Sequence, residues 1–301
     1  MSLNRILALA LAVALAASVA EPGALAKPRP APAPAAPPPP AAPNDADMRT
    51  PDPNDLLVID TTKGKILVEL NDIAAPLATA RVRELTRKGF YDGRAFFRVI
   101  DNFMDQTGDP LDTGMGASSL PNIAGEFTFK RGADTPFAPA DRNGGMEEGF
   151  VGSLPVESQS MDLGLLTVDH KVQAWGVYCA GVLGMARGDD PDSANSQFFI
   201  ERTNAASPDH GLHGLDKKYA AFGRVIAGQE VVDAIAVGEP PTQPDKVVSV
   251  KVLADMPEAT RPSVRIVDAA SPWAKAQTAR LEQQLAPDFT VCDVKLPVEV
   301  K

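Results

Sequence analysis

Residues 89–109 read GFYDGRAFFRVIDNFMDQTGD, and this stretch decides the fold class. Its apolar residues fall in two short runs, 95–100 and 102–106, rich in Phe, Val and Ile and too short for helices. That composition favours β-strands. Alternation along 96–100 places Phe96, Arg98 and Ile100 on one face. An arginine in line with phenylalanine and isoleucine has two readings. It snorkels to water at the rim of a sheet, or it is a cation held above an apolar pocket. The stretch alone leaves both open.

Working outward, the flanking segments repeat the β signal. Residues 56–62 and 65–70 are β-branched and apolar, separated by Lys63-Gly64, which predicts a hairpin. Pro76 stands at a helix start, Ala78, Val82 and Leu85 follow as an apolar stripe, and Gly89 closes the helix. Further strands are expected at 181–186, 197–201, 219–225 and 247–253, and a second helix at 229–237 with Val231 and Ile235 on one side. Strands outnumber helices without βαβ alternation, so the chain reads as mainly β, an antiparallel barrel with two helices. Two regions resist. Residues 112–174 are rich in Gly, Pro and Ser and are expected to fold partly over the barrel as a long insertion. Residues 255–301 read as a C-terminal helical extension packed on the domain. There Ser271-Pro272 caps a helix, Trp273, Leu281 and Leu285 offer its apolar face, and Pro287 ends it.

The chain begins differently. Arg5 precedes an apolar run over 6–17, followed by the small-x-small sites Ser18-Val19-Ala20 and Ala24-Leu25-Ala26. Residues 1–26 thus read as a cleavable signal peptide, the run being shorter than the roughly 20 residues that span a bilayer. Residues 27–54, almost wholly proline and alanine from Pro28 to Pro43, read as a disordered, extended tether. The domain proper is expected over 55–254. The mature protein is expected to be exported, periplasmic or otherwise outside the cytoplasm, with no stable membrane insertion. Lysine and arginine number 29 against 39 acidic residues, a formal charge of −10, which argues against a nucleic-acid partner. Apolar residues at 44% and charged ones at 23% exclude wholesale disorder and a polytopic membrane protein. Two cysteines cannot build a disulfide scaffold or a four-cysteine zinc site.

Two later stretches complete the pattern: Gly181-Val182-Leu183-Gly184-Met185-Ala186-Arg187 with Ser196-Gln197-Phe198-Phe199-Ile200, and Gly214-Leu215 with Phe222-Gly223-Arg224-Val225. Together with 96–109, in this order, they resemble the cyclophilin family of peptidyl-prolyl cis/trans isomerases. The resemblance runs over about 56–253, interrupted by the insertion. It implies an eight-stranded antiparallel barrel capped by a helix at each end, acting on X–Pro bonds of exported proteins to assist their folding, without cofactor or metal and as a monomer. The family's catalytic arginine falls on Arg98, its proline-pocket residues on Phe103, Met104, Phe199 and Leu215, and its peptide-backbone contacts on Gln106, Ala186, Arg187 and Gln197. Tyr219 stands where a pocket histidine is common, Phe97 where histidine is frequent, and Arg187 where asparagine is usual. The alternative is a chaperone or scaffold that holds proline-containing segments with little turnover.

Other clusters are weaker. His210 and His213 lack a third ligand, so they read as loop residues. Residues 189–192 carry three aspartates but not the twelve-residue calcium pattern, and read as a turn. In an oxidising compartment Cys179 and Cys292 are candidates for a disulfide tying the tail to the insertion near the barrel. Their spacing leaves the pairing open.

Overall fold

The computed structural model describes Pro38 and residues 41–143, 145–204 and 214–301. The leader, residues 27–37 and 39–40 of the tether, and both histidines of the 210–213 pair lie outside the described residues. Asn44 and Asp47 form a reciprocal capping box on a single 3-10 turn, and β1 (Met48–Arg49) pairs antiparallel with Val267 and Ile266 of the tail. Residues 44–54, assigned above to the tether, therefore belong to the fold. Arg49 anchors them through two bonds to Glu69, at 2.6 and 2.8 Å.

The hairpin of β2 (Leu56–Thr61) and β3 (Gly64–Leu70) turns through Thr62-Lys63, one residue earlier than the Lys63-Gly64 expected, with Thr61 paired to Gly64. The Thr61 hydroxyl donates to the Gly64 carbonyl at 2.8 Å and accepts from the Lys63 and Gly64 N–H groups. Helix α1 (Pro76–Arg87) buries Ala78, Val82 and Leu85 as expected. Its Ala75 cap has no side-chain oxygen to offer, and the Glu126 carboxylate fills that role, accepting from Leu77 and Ala78 N–H at 2.8 Å each.

Two short strands follow, β4 (Arg98–Ile100) and β5 (Met104–Thr107). Then comes a block that the sequence reading left without strands: β6 (Phe129–Arg131), β7 (Phe137–Asn143), β8 (Met146–Val151), β9 (Leu154–Gln159) and β10 (Val172–Gly176). These make a separate five-stranded antiparallel sheet in the order β6-β10-β9-β8-β7. The chain returns through β11 (Val182–Met185), β12 (Phe198–Glu201), β13 (Ala221–Ala227), α2 (Gln229–Asp233) and β14 (Val247–Val252). Helix α2 is shorter than the 229–237 expected, although Ile235 is buried beyond its end.

The main sheet has eight antiparallel strands in the order β14-β2-β3-β13-β11-β12-β5-β4. It curls until its edges meet. Gly93 N–H donates to the Val247 carbonyl and Val247 N–H to the Arg94 carbonyl, both at 2.8 Å, and Val99 and Gly238 exchange bonds at 2.8 and 2.9 Å. Inside lie Leu57, Ile59, Ile66, Val68, Val99, Leu183, Ile200 and Phe222, covered by α1 and by Val232 and Ile235. Fully burying each such side chain contributes about 1.5–3 kcal/mol. Phe96 is part of this interior. The expected alternation fails there because the strand begins only at Arg98, so Phe96 faces inward while Arg98 does not.

A second apolar cluster joins the outside of the barrel to the added parts: Met104, Val182 and Phe199 from the barrel, Phe150, Leu154 and Val156 from the five-stranded sheet, and Phe289, Val291 and Val294 from the tail. The tail holds β15 (Val264–Val267), α3 (Pro272–Leu285) and β16 (Val298–Val300), and β15 lies between β1 and β16. Ser271 caps α3 through the Ala274 N–H at 3.1 Å. The helix buries Ala274 and Thr278, whereas Leu285, expected on its apolar face, is exposed. Cys179 and Cys292 are joined in a disulfide spanning 113 residues. Among the described residues no helix is long and apolar enough to cross a membrane.

Candidate active site

Strand register builds the site. Arg98 lies opposite Gln106, Gln106 opposite Phe199, and Phe199 opposite Gly184. Four neighbouring strands therefore present these residues in one row on the barrel's outer face. The next row holds Ile100, Met104 and Glu201. Gly184 is required by close approach: a Cβ there would strike the Phe199 ring and sit 2.8 Å from the Tyr178 hydroxyl. Without it the phenyl ring could not lie against the sheet.

Met104, Phe199 and Leu215 are buried, while Phe103, Ala186 and Tyr219 are half-buried members of the same apolar cluster. Phe199 stacks on Tyr178, with ring centres 5.7 Å apart, and meets Tyr219 edge-on at 5.6 Å. The turn carrying Leu215 is fastened to the added sheet, because the Lys217 ammonium lies 4.1 Å from the Trp175 ring centre and Asp216 accepts from the Tyr178 N–H at 3.4 Å.

Arg98 is held at the edge of this wall. Its Nε donates to Glu239 at 2.7 Å and its Nη1 to Gln106 Oε1 at 3.3 Å. Gln106 passes the chain on, its Nε2 donating to Gln197 Oε1 at 2.9 Å, and Gln197 Nε2 donates to the Gly114 and Gly116 carbonyls at 3.1 and 2.7 Å. The 110–116 loop is wound on Asp109, whose carboxylate accepts from the N–H groups of Leu111, Thr113, Gly114 and Gly116. Burial tends to raise the Asp109 pKa, but these four donors hold it below the usual carboxylate value. Beside the row opens a cleft of about 310 Å³ lined by Gln106, Gln197, Asn195, Ala186, Arg187 and residues 114–117.

The residues picked from the sequence thus gather on one side of the barrel. Arg187 is the exception in kind. Its guanidinium packs 4.8 Å from the Tyr219 ring centre and 5.3 Å from that of Phe127, and its Nε donates to the Lys218 carbonyl, so the side chain braces the wall even though the residue lines the cleft. Glu239, Asp109 and Tyr178 were not picked. The partners of Glu239 and Tyr178 are distant in sequence, whereas Asp109 binds the loop that follows it, where only the Asp109-Pro110 pair carries a local turn signal. Residues 189–192 form a bend and turn, and among the described residues no three His, Cys, Asp or Glu side chains group as metal ligands.

Glu201, in the row beside Met104, is buried, and among the described residues neither carboxylate oxygen is hydrogen-bonded. Burial, with the nearby Asp105 charge adding to it, pushes its pKa up to about 9. The folded state keeps that proton at neutral pH while the unfolded chain, near 4.5, releases it. The native state binds more protons, so this group makes stability fall as pH climbs from about 4.5 to about 9, and flatten above. Glu201→Gln should shrink the difference in Tm between pH 5 and pH 9. A difference equal to the wild type's would show that the carboxyl is ionised in the native protein.

A curled eight-stranded antiparallel barrel with an arginine beside an apolar wall on its outer face defines a class, and the comparisons agree. Residues 56–252 match the family model for "Cyclophilin type peptidyl-prolyl cis-trans isomerase/CLD". The "Probable peptidyl-prolyl cis-trans isomerase" of Brucella suis biovar 1 is 29% identical over 213 residues, covering 68% of this chain and 85% of that protein. A Synechocystis sp. relative whose name places it in the thylakoid lumen is 26% identical over 194 residues, covering 64% of this chain and 45% of its own length. The crystal structure of cyclophilin AquaCyp293 from Hirschia baltica superposes with a TM-score of 0.75 at 32% identity, covering 84% of this chain and 93% of that one. The chain belongs to the cyclophilin-type peptidyl-prolyl cis-trans isomerases.

Proposed function

We propose that this isomerase works outside the cytoplasm on X–Pro bonds of exported polypeptides, as a monomer, with Arg98 as its catalytic residue. The observation that carries the site assignment is the Arg98 guanidinium, held by Glu239 and Gln106 in the row that contains Phe199. An X–Pro amide resists rotation by about 18–20 kcal/mol because resonance gives its C–N bond double-bond character. No covalent bond is cleaved in the reaction, so the enzyme needs only to favour the twisted amide over both planar forms. Twisting localises a lone pair on the prolyl nitrogen. With Nε and Nη1 engaged, Arg98 Nη2 carries no hydrogen bond among the described residues and is available to donate there. Phe103, Met104, Phe199 and Leu215 would hold the pyrrolidine ring and exclude water, which strengthens that bond. Gln106, Gln197 and the 186–187 backbone would hold the flanking peptide, and Tyr219 would close the wall.

Export is supported by the signal-like leader, by the name of the Synechocystis relative, and by the Cys179–Cys292 disulfide, which persists in oxidising compartments. Mapping the N-terminus of the protein recovered from its native cells tests this. The mature chain should start near Glu21 or Lys27 in an extracytoplasmic fraction and should accelerate a proline-limited refolding phase. Recovery of a chain starting at Met1 from the cytosol alone would overturn the export assignment.

A further inference from the structure

A second cavity, of about 380 Å³, lies at the seam where β13, the β8–β9 turn and the tail meet. Its size falls within the ~300–1,000 Å³ range of small-molecule sites. Ala180, Val225, Ile226, Ile266, Cys292 and Leu296 supply its apolar lining. Among the described residues, the charged ones lining it are Arg202, Arg224 and Lys295, and none of the lining is acidic. In a chain with a formal charge of −10, three cations around one hollow without a carboxylate are out of character.

The three cations are not equivalent. Arg202 is compensated, its Nη1 bonded to Asp105 Oδ1 at 2.7 Å and its Nη2 to the Asp233 carbonyl at 2.6 Å. Arg224 is half-buried and, among the described residues, makes a single long bond, from Nη1 to the Ser153 carbonyl at 3.4 Å. Its register neighbour Glu69 is already taken by Arg49. Burial pushes the Arg224 guanidinium down to about 10. Lys295 is exposed at the mouth and forms no ion pair among the described residues. A desolvated guanidinium with an incomplete set of acceptors is costly to leave unmatched, and the partner its fork fits is an oxyanion.

We infer that this cavity is a binding site for a small oxyanion, a carboxylate or phosphate on a short apolar body, held by Arg224 with Lys295 at the entrance. The site is remote from Arg98 in the fold: Arg224 lies on β13, three strands across the sheet from the β5 strand of Gln106. Because its walls come from the barrel, the added sheet and the tail, a bound anion draws all three together.

Titration calorimetry on the full, disulfide-intact chain, with inorganic phosphate and separately with butyrate at constant ionic strength, tests the inference. At least one probe should bind saturably at one site, and the tighter of the two identifies the head group. Arg224→Gln should weaken that binding about tenfold or more, as expected for loss of a charge-assisted pair. Lys295→Ala, an exposed change that leaves the fold intact, should weaken it by a smaller factor. X–Pro turnover should be unaltered in both variants. No saturable binding of either probe to the wild type, or equal affinity in the wild type and Lys295→Ala with Arg224→Gln also unchanged or unfolded, would overturn it.

Discussion

Replacing Arg98 with alanine should lower kcat/KM on an X–Pro peptide by about 10²–10³-fold, the usual cost of deleting one preorganised donor from a water-poor site. Its side chain is about 40% exposed and belongs to neither apolar cluster, so the folded state should survive with an unchanged circular dichroism spectrum. The loss should fall on kcat, because the donor matters most when the prolyl nitrogen has lost its conjugation. Glu239→Gln makes a useful contrast. It keeps an acceptor for Arg98 Nε but removes the charge, and turnover should change only a few-fold. A protease-coupled assay reads both. Undiminished turnover in Arg98→Ala would remove the guanidinium from the mechanism. Wild-type activity no faster than the spontaneous rate would favour a protein that holds proline segments without turning them over.

The second large effect concerns stability. The Cys179–Cys292 bond closes a loop of 113 residues, long enough that removing it should cost about 3–5 kcal/mol through the unfolded chain. For a domain of this size that is a drop in Tm of about 10 °C. The bond also lies next to Tyr178, whose ring backs Phe199, so the double Cys→Ser variant should show a raised KM as well. Melting the protein with and without a thiol reductant should reproduce the shift in the wild type and leave the double variant unmoved. A reductant-independent Tm equal in both proteins would show that the tail holds by packing alone.

The barrel was legible because its strands are short, apolar and β-branched, and because the motif residues sit on them in a fixed order. The five-stranded sheet was not, for a physical reason. Its strands carry Arg131, Glu147, Glu148 and Ser158 at buried or nearly buried positions and interrupt their runs with Pro139 and Pro155. Arg131 bonds Glu147 at 2.6 Å and Ser158 at 3.0 Å and stacks 3.6 Å from the centre of the Phe137 ring. Polar groups that satisfy one another inside a sheet erase the period-2 pattern. In α3, Leu281 packs half-buried against the second cluster as expected, but beyond Ala274, Thr278 and Leu281 the last turn extends into solvent and leaves Leu285 exposed. At the site, Arg98, Gln106 and Phe199 could be picked because each lies in a local motif. Glu239 could not, since its role arises from a contact 141 residues away.

The contribution of Tyr178 to the wall behind Phe199 has a practical consequence. The segment carrying every family motif ends at Val252, yet the groove it encodes leans on Phe289 and Val291 from beyond that point. A gene trimmed to the motif-bearing core would leave an apolar flank bare to water. Anyone transplanting this catalyst into another polypeptide should carry the tail along, since the working module is larger than its signature.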